Sequence, residues 1–161
     1  MVHIREATPG EYATVGELTE VAYRRDGHLQ HGDGYAAVLL DAAGRARSAE
    51  LLVAVGDGKL VGTVTYCPPG SESRQVAKDG EAEFRMLAVV EDWRGRGVAR
   101  ALVEACEERA RSHGIARLVL CTLDSMQGAQ ALYRSMGFVR VPDRDWKPAP
   151  ELWLRGFSLT L

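Results

Sequence analysis

The chain has 161 residues, of which 46% are hydrophobic and 26% are charged, and its formal net charge is −2. This composition is typical of one globular domain that is large enough to bury a core, and it argues against disorder. A net charge near zero gives no electrostatic reason to bind nucleic acid or an anionic membrane. No apolar run approaches the roughly 20 residues that span a bilayer. We therefore expect a single domain over residues 1–161, with no nucleic-acid partner and no membrane partner.

The cysteines and the N-terminal segment indicate a compartment. Cys67, Cys106 and Cys121 are an odd number of thiols without CxxC spacing, which favours free cysteines in a reducing environment. The segment 1–6 has strand-like alternation and lacks the apolar core of a secretion signal. We expect a cytoplasmic protein.

The first third of the chain is predicted to form one strand and two helices. Residues 2–7 alternate like a strand, and Thr8-Pro9-Gly10-Glu11 then has the capping hydroxyl, early proline and later glutamate of a helix start. Apolar residues at helical spacing extend this helix to about Tyr23. After a glycine-rich break at 27–34, residues 35–47 predict a second, weaker helix.

The middle of the chain predicts antiparallel strands. Residues 51–55 and 60–66 are rich in β-formers, and the intervening Gly56-Asp57-Gly58-Lys59 is a hairpin signal. The polar segment 68–80 contains PPG and SES and predicts a loop. A long strand is expected over 81–90.

The last third predicts alternating helices and strands. The expected elements are a helix over 97–113 ended by Gly114, a buried parallel strand over 116–122, a helix over 125–136 ended by Gly137, and strands over 138–141 and 152–161 joined by a proline-rich loop, 142–150. The complete order, β-α-α-β-β-β-α-β-α-β-β, predicts an α/β sandwich with a central, partly antiparallel sheet.

The stretch RGRGVA, residues 94–99, lies between a predicted strand and a predicted helix. Its glycines let the backbone approach a ligand, and the helix's first N–H groups and dipole favour an anion. Arg94, Arg96 and Arg100 add positive charge, so the stretch predicts a phosphate or pyrophosphate site. Taken alone it could also be a solvated basic turn. It lacks the spacing of a P-loop or of a dinucleotide site, and an RG-type RNA-binding segment would normally be disordered.

Three segments together resemble the GNAT acetyltransferase superfamily. They are FRMLAV at 84–89, RGRGVA at 94–99 and AQALYRSMGF at 129–138. The RxxGxA portion is similar to that family's pyrophosphate loop, and LYxxxGF is similar to its penultimate helix and following strand. The resemblance is strong over 81–141. It implies a mixed, mostly antiparallel central sheet, with parallel strands 4 and 5 splayed apart and about four helices around it.

The resemblance also implies acetyl-CoA as acyl donor, with no metal. The pantetheine arm would bond to main chain around Leu87 and Val89 in the wedge between strands 4 and 5, and the pyrophosphate would sit on the amides of 95–100. The cofactor-binding residues implied in this way are Leu87, Ala88, Val89, Arg94, Gly95, Arg96, Gly97, Val98, Ala99 and Arg100.

Acetyl transfer to an amine needs a base, a polarised carbonyl and an acid for the thiolate. The resemblance places Tyr133 near the sulfur as the acid, although its position on an apolar stripe also suits simple packing. Glu83 is the favoured base, acting through water, whereas Glu81 lies on the same strand face. Glu83 could instead orient a cationic substrate or pair with Arg85. Met126 stands where the family often has asparagine, which puts cofactor contacts there in doubt.

The remaining signals leave the acceptor open. His28, His31 and Asp33 could be read as metal ligands, but no further Cys or His lies nearby, and a substrate-facing loop is favoured. Asp143-Arg144-Asp145-Trp146 suits either a substrate wall or a salt-bridged turn. We expect a primary amine of a small molecule or peptide as acceptor, and a homodimer is compatible with the resemblance. The alternative from another class is a non-catalytic acyl-CoA-binding regulatory module.

Overall fold

Residues 1–29 and 34–161 are described by a computed structural model. Their strands are β1 His3–Glu6, β2 Glu50–Gly56, β3 Lys59–Cys67, β4 Ala82–Val89, β5 Arg117–Leu123, β6 Val139–Arg140, β7 Trp146–Ala149 and β8 Leu152–Thr160. The α-helices are α1 Tyr12–Arg25, α2 Tyr35–Leu40, α3 Ala42–Ala46, α4 Val98–Ser112 and α5 Gln127–Ser135. Short 3₁₀ turns cover Pro9–Glu11, Glu91–Trp93 and Pro142–Arg144.

All eight strands form one mixed sheet, in the order β1-β2-β3-β4-β5-β8-β6, with β7 paired to β8. Every neighbouring pair is antiparallel except β4 and β5, which are parallel. The parallel pairing covers only two positions, Ala82 with Leu118 and Glu83 with Val119. Beyond these positions the two strands diverge, which confirms the expected splayed strands in a mostly antiparallel sheet.

A bulge in β4 accompanies this divergence. The register of β3 against β4 shifts between the pair Thr63–Ala88 and the pair Thr65–Arg85. Met86 lies inside the irregular stretch with φ of +57°, a conformation that is uncommon for a residue other than glycine. Bulges of this kind bend a strand and increase its twist. The chain therefore turns away from β5 at the point where the wedge opens.

Helix α4 lies against one face of the sheet and closes the main core. It approaches β3 so closely that a Cβ on Gly62 would lie 2.9 Å from Val98 Cγ1 and 3.1 Å from Leu102 Cδ1. This core is apolar and includes a group of aromatic rings from β4, α5 and β8 and from the residue before β6: Phe84, Tyr133, Phe157 and Phe138. A second cluster, Ala7, Val15, Ala42, Leu51 and Val53, fixes α1 and α3 to the other face.

Two sequence-based expectations about local structure were wrong. The weak helix expected over 35–47 is two helices, because Asp41 leaves helical geometry (φ −83°, ψ 61°) and its carboxylate accepts the Gly44 N–H at 3.0 Å. Residues 1–29 and 34–161 therefore contain five α-helices, compared with about four expected. The loop expected over 142–150 contains strand β7. The helix start predicted at Thr8 is confirmed: a 3₁₀ turn begins at Pro9 and leads directly into α1, and the Glu11 carboxylate accepts the Thr8 N–H at 2.9 Å.

Candidate functional site

Two connected cavities open where β4 and β5 diverge. The outer groove runs between the end of α1, the turn before α4 and the start of α5, and nine of the ten residues expected to bind the cofactor line it: Leu87, Ala88, Val89, Arg94, Gly95, Gly97, Val98, Ala99 and Arg100. The inner pocket lies deeper, and Tyr133 lines it. Both cavities share lining from Tyr23, His28, Leu87, Met126 and Ala129. The two cavities therefore adjoin, and together they form a channel that extends from the glycine-rich turn to Tyr133.

The glycine-rich turn presents main chain to the outer groove. Gly95 and Gly97 have φ of +73° and +80°, a conformation that is unfavourable for residues with a side chain. Gly97 directly precedes α4, and no side-chain hydrogen bond caps that helix in the described part of the chain. The N–H groups of its first turn and the helix dipole therefore face the groove without a protein acceptor. This geometry suits an anion such as a pyrophosphate.

The three arginines of this turn differ in placement. Arg94 forms an ion pair with Asp26, which follows α1, and Arg100 donates to Ser135 Oγ at 2.9 Å. The guanidinium of Arg96 instead lies over the Trp93 ring, 4.5 Å from its centroid, and Arg96 is not among the residues lining the groove. The structure thus turns the Arg96 side chain away from the other expected cofactor residues.

Tyr133 combines a packed ring with a hydroxyl beside the channel. Only 4% of the residue is exposed, and its ring contacts Phe84, Phe138 and Phe157 at centroid distances of 5.7, 6.0 and 6.1 Å. No hydrogen bond to the hydroxyl occurs within residues 1–29 and 34–161. Burial raises the pKa of the Tyr133 phenol, which keeps it protonated at neutral pH. Both interpretations of this residue, acid and packing element, fit these contacts.

Glu83 is completely buried on β4 and does not line either cavity. Its Oε1 accepts backbone N–H groups of Gln75, Val76 and Ala77, each at 2.9 Å. Its Oε2 is buried with no hydrogen-bond partner in the described part of the protein. Burial raises the pKa of Glu83 despite these three donors. The carboxylate thus anchors the loop that walls the inner pocket, and its expected role as base stays a prediction.

Glu81, the other carboxylate considered as base, is engaged in a salt-bridge network. Arg144 donates to both of its oxygens, at 2.5 and 2.9 Å, and the Lys78 N–H donates to Oε1 at 2.8 Å. The bond from Arg144 lowers the pKa of Glu81. An ionised carboxylate with these partners is a poor proton acceptor, so the geometry favours Glu83 of the two.

The charged stretch before β7 is a salt-bridged turn. Asp145 accepts from Arg140 at 2.7 and 2.8 Å, from Arg155 at 3.2 Å and from the Gly156 N–H at 2.8 Å. These bonds, above all those from Arg140, lower the pKa of Asp145 to about 2. Of the two interpretations of this stretch, these bonds favour the salt-bridged turn, in which Asp145 has a structural role. Pro148, further along, does line the inner pocket.

Several residues of the inner pocket were not predicted as site residues. Tyr35, Gln75 and Cys121 come from three distant segments and carry no motif, while Arg85 was considered only as a partner of Glu83. The one signal that could have identified Arg85 as a site residue was its place inside the FRMLAV segment. Met126, at the start of α5, lines both cavities and accepts a hydrogen bond on Sδ from Thr122 Oγ1 at 3.3 Å.

Of the three suggested metal ligands, only His28 lies among the described residues. No group of three or more His, Cys, Asp or Glu side chains with suitable spacing occurs among the residues described. His28 Nδ1 lies 3.1 Å from Ser125 Oγ, whereas His31 and Asp33 fall outside the described residues. No helix in the described ranges is both long and apolar enough to cross a membrane.

A family model named "Acetyltransferase (GNAT) family" matches residues 15–138. Among curated proteins, N-acetyltransferase 8 of Rattus norvegicus is 38% identical over 95 residues, which is 57% of this chain and 40% of that protein. N-acetylaspartate synthetase of Danio rerio is 34% identical over 93 residues, 58% of this chain and 30% of that protein. The matches therefore span well under half of these relatives.

Solved structures share the fold over the whole chain. An acetyltransferase of the GNAT family from Staphylococcus aureus Mu50 superposes with a TM-score of 0.78 at 15% identity, covering 100% of this chain and 99% of the other. Ribosomal-protein-alanine N-acetyltransferase from Brucella melitensis superposes with a TM-score of 0.69 at 22% identity, covering 99% of each chain. At these identities the likeness establishes the fold.

Proposed function

This chain belongs to the acetyltransferase (GNAT) family, and we propose that it is an N-acetyltransferase that moves the acetyl group of acetyl-CoA directly to a primary amine of a small molecule or peptide. We place this reaction in the cytoplasm, because the three cysteines are free thiols and two of them are buried. The names of the rat and zebrafish relatives support an amine as the acceptor.

The observation that carries the proposal is the single channel from the glycine-rich turn to Tyr133. At its outer end the φ values of Gly95 and Gly97 and the uncapped start of α4 suit a pyrophosphate. Along its middle, β4 beyond Glu83 pairs with no strand on the β5 side within the described residues. Main-chain groups near Leu87 and Val89 can therefore bond an extended pantetheine arm as if it were a strand. The channel ends beside a phenol, where a thioester would react.

Acetyl-CoA supplies an activated acyl group and a thiolate leaving group. In the proposed mechanism the Tyr133 hydroxyl gives its proton to that thiolate, since burial keeps the phenol protonated and no acceptor among the described residues competes for it. Glu83 takes the amine's proton through a water, because its carboxylate lies behind the pocket wall. The apolar walls exclude bulk water, which strengthens both interactions.

The proposal is tested by incubating the purified chain with acetyl-CoA and a panel of amines. The panel contains amino acids, polyamines, aminoglycosides and peptide N-termini, and free CoA and acetylated product are both measured by mass spectrometry. We expect CoA and product in equal amounts with at least one amine, above a control without amine. Tight acetyl-CoA binding with no product from any amine would favour the regulatory binding module, and absent acetyl-CoA binding would overturn the proposed donor.

A further inference from the structure

We propose that the acceptor is a small amino acid, in which a carboxylate accompanies the reacting amine, and that Arg85 in the inner pocket binds this carboxylate. This inference rests on the proposed function, because it names the substrate class of the same site. It follows from the charges around the pocket, from the partners of Arg85 and from a neighbouring amide donor.

The inner pocket has an unbalanced charge. Most of its lining is apolar, and Arg85 is its one permanently charged residue in the described part of the chain. No Asp or Glu of the described residues lines it, and burial lowers the pKa of His28, which favours the neutral imidazole. An acceptor with a second positive charge, such as a polyamine or aminoglycoside, would therefore meet a like charge without a carboxylate to compensate it.

Arg85 retains donors for a ligand. Its Nη1 donates to the Ser73 carbonyl oxygen at 2.8 Å, and the guanidinium forms no ion pair within the described ranges. A guanidinium has five N–H donors in a planar fork that matches a carboxylate. The side chain is half-buried and lines the pocket, so a carboxylate there would be partly shielded from water.

A second guanidinium behind Arg85 raises the local positive potential. Arg45 is only 6% exposed, and its Nη2 is buried without a partner in the described part of the structure. Desolvation and then the charge of Arg85 lower the pKa of Arg45, which shows that the two groups are close enough to repel. Carboxylates lie nearby, but none forms an ion pair with either guanidinium in the described part of the chain. Glu83, on which the charge of Arg85 acts, bonds to backbone amides, and Asp41 and Glu72 line a surface groove that Arg45 and Arg85 also line.

Gln75 supplies a neutral donor in the same pocket. Its backbone N–H is held by Glu83, and its Oε1 accepts the Cys121 thiol at 3.2 Å. The side-chain Nε2 is left without an acceptor in residues 1–29 and 34–161 and can donate to a ligand. Arg85 and Gln75 together offer the charged and neutral donors that a carboxylate accepts. The amine of the same molecule would then extend toward Tyr133.

The test compares matched acceptors and two variants. Each acceptor pair is an amino acid and its amide, which differ only in the negative charge, and the variants are Arg85→Gln and Arg47→Gln. Arg47 is an exposed arginine of the surface groove and serves as the control. We expect wild type and Arg47→Gln to prefer the amino acid by about tenfold or more in kcat/KM. In Arg85→Gln this preference should disappear, with kcat/KM for the amide nearly unchanged.

A binding measurement separates this inference from the proposed function. Calorimetry in the presence of CoA compares N-acetyl amino acids with their N-acetyl amides, again in wild type and Arg85→Gln. Turnover of neutral or cationic amines with no carboxylate preference in rate or binding would overturn the acceptor class alone. A carboxylate preference in binding that Arg85→Gln abolishes, without turnover of any amine, would support the anion site and overturn the proposed function. If neither a carboxylate preference nor turnover of any amine is found, the acceptor class and the proposed function would both be overturned.

Discussion

Asp26, which directly follows helix α1, forms an ion pair with Arg94 of the glycine-rich turn. The preceding residue adds a second link, because Arg25 Nη2 donates to the Val89 carbonyl oxygen at 3.2 Å. The end of α1 is therefore fixed across the outer groove to both segments that would hold the cofactor. The Asp26 carboxylate also lies against Arg94 and so offsets the positive charge that is expected to attract a pyrophosphate.

Replacing Asp26 with Asn should strengthen acetyl-CoA binding, because it removes a negative charge from the groove and releases Arg94. Partly exposed ion pairs are worth about 0.2–1 kcal/mol, so we expect a gain of up to about fivefold in affinity. Calorimetry at low and high salt measures it, and the gain should shrink at high salt. Asp57→Asn, in the β2–β3 hairpin, removes the same charge elsewhere and should have no effect. Weaker binding in Asp26→Asn would mean that the pair organises the turn.

Replacing Gly97 with Glu should reduce acetyl-CoA affinity at least about tenfold, or 1.4 kcal/mol. Apart from its chain neighbours, a Cβ at this position meets no atom of the described residues within 4 Å, so the loss would come from bulk and charge facing the pyrophosphate. The backbone strain of a side chain at φ +80° is a separate cost. Gly58→Glu is the matched control, since Gly58 has φ +75° and equally open surroundings in a remote turn. Equal CoA binding by a folded Gly97→Glu protein would contradict the assignment.

The parts of the fold that local chemistry determines could be predicted from the sequence. The β2–β3 hairpin followed from its glycines, and the groove around residues 94–100 followed from glycines between a strand and a helix. Two errors also have local causes. Asp41 is a good helix-capping residue inside a helical pattern, and it ends one helix and starts another. Pro148 argued for a loop, but an edge strand such as β7 tolerates a proline.

The inner pocket could not be predicted because long-range contacts create it. Gln75 belongs to a polar loop that long-range bonds hold in place, among them three N–H groups accepted by the buried carboxylate of Glu83. Nothing in the sequence of residues 68–80 signals that partner. The orientation of Arg96 over Trp93 is similar, because stacking on a neighbouring ring determines which arginine of the turn faces the groove.

Replacing Glu83 with Gln should change how stability depends on pH. Since burial raises the pKa of Glu83 above its usual value of 4.5, the folded protein favours the protonated carboxyl. Its contribution to stability is present below pH 4.5 and is lost as pH rises through the raised pKa. The stability of Glu83→Gln relative to wild type should therefore increase with pH above about 4.5. Urea unfolding from pH 4 to 8 measures this, and a trend of opposite sign would mean that the three N–H donors outweigh burial.

The activity of Glu83→Gln distinguishes a catalytic base at position 83 from a residue that only anchors the loop. An amide at position 83 keeps an oxygen for the three N–H groups but cannot take a proton. If Glu83 is the base, kcat/KM should fall by about 10²–10⁴ and the acidic limb of its pH profile should disappear. Glu81→Gln is the control, because it removes a nearby carboxylate that is already paired with Arg144. A Glu83→Gln enzyme with a normal rate and an unaltered pH profile would leave Glu83 with the anchoring role alone.

Replacing Tyr133 with Phe tests the chemistry apart from binding. Phenylalanine retains the ring contacts with Phe84, Phe138 and Phe157 and removes only the hydroxyl, so folding should survive. If the hydroxyl protonates the thiolate, kcat should fall by about 10²–10⁴ while acetyl-CoA affinity changes little. Tyr66→Phe is the control, because it deletes a buried phenol in the core, away from both cavities. Single-turnover measurement is needed where product release limits kcat. An unchanged chemical rate would mean that Tyr133 only packs, and the three rings around it would then be sufficient reason for an aromatic residue at that position.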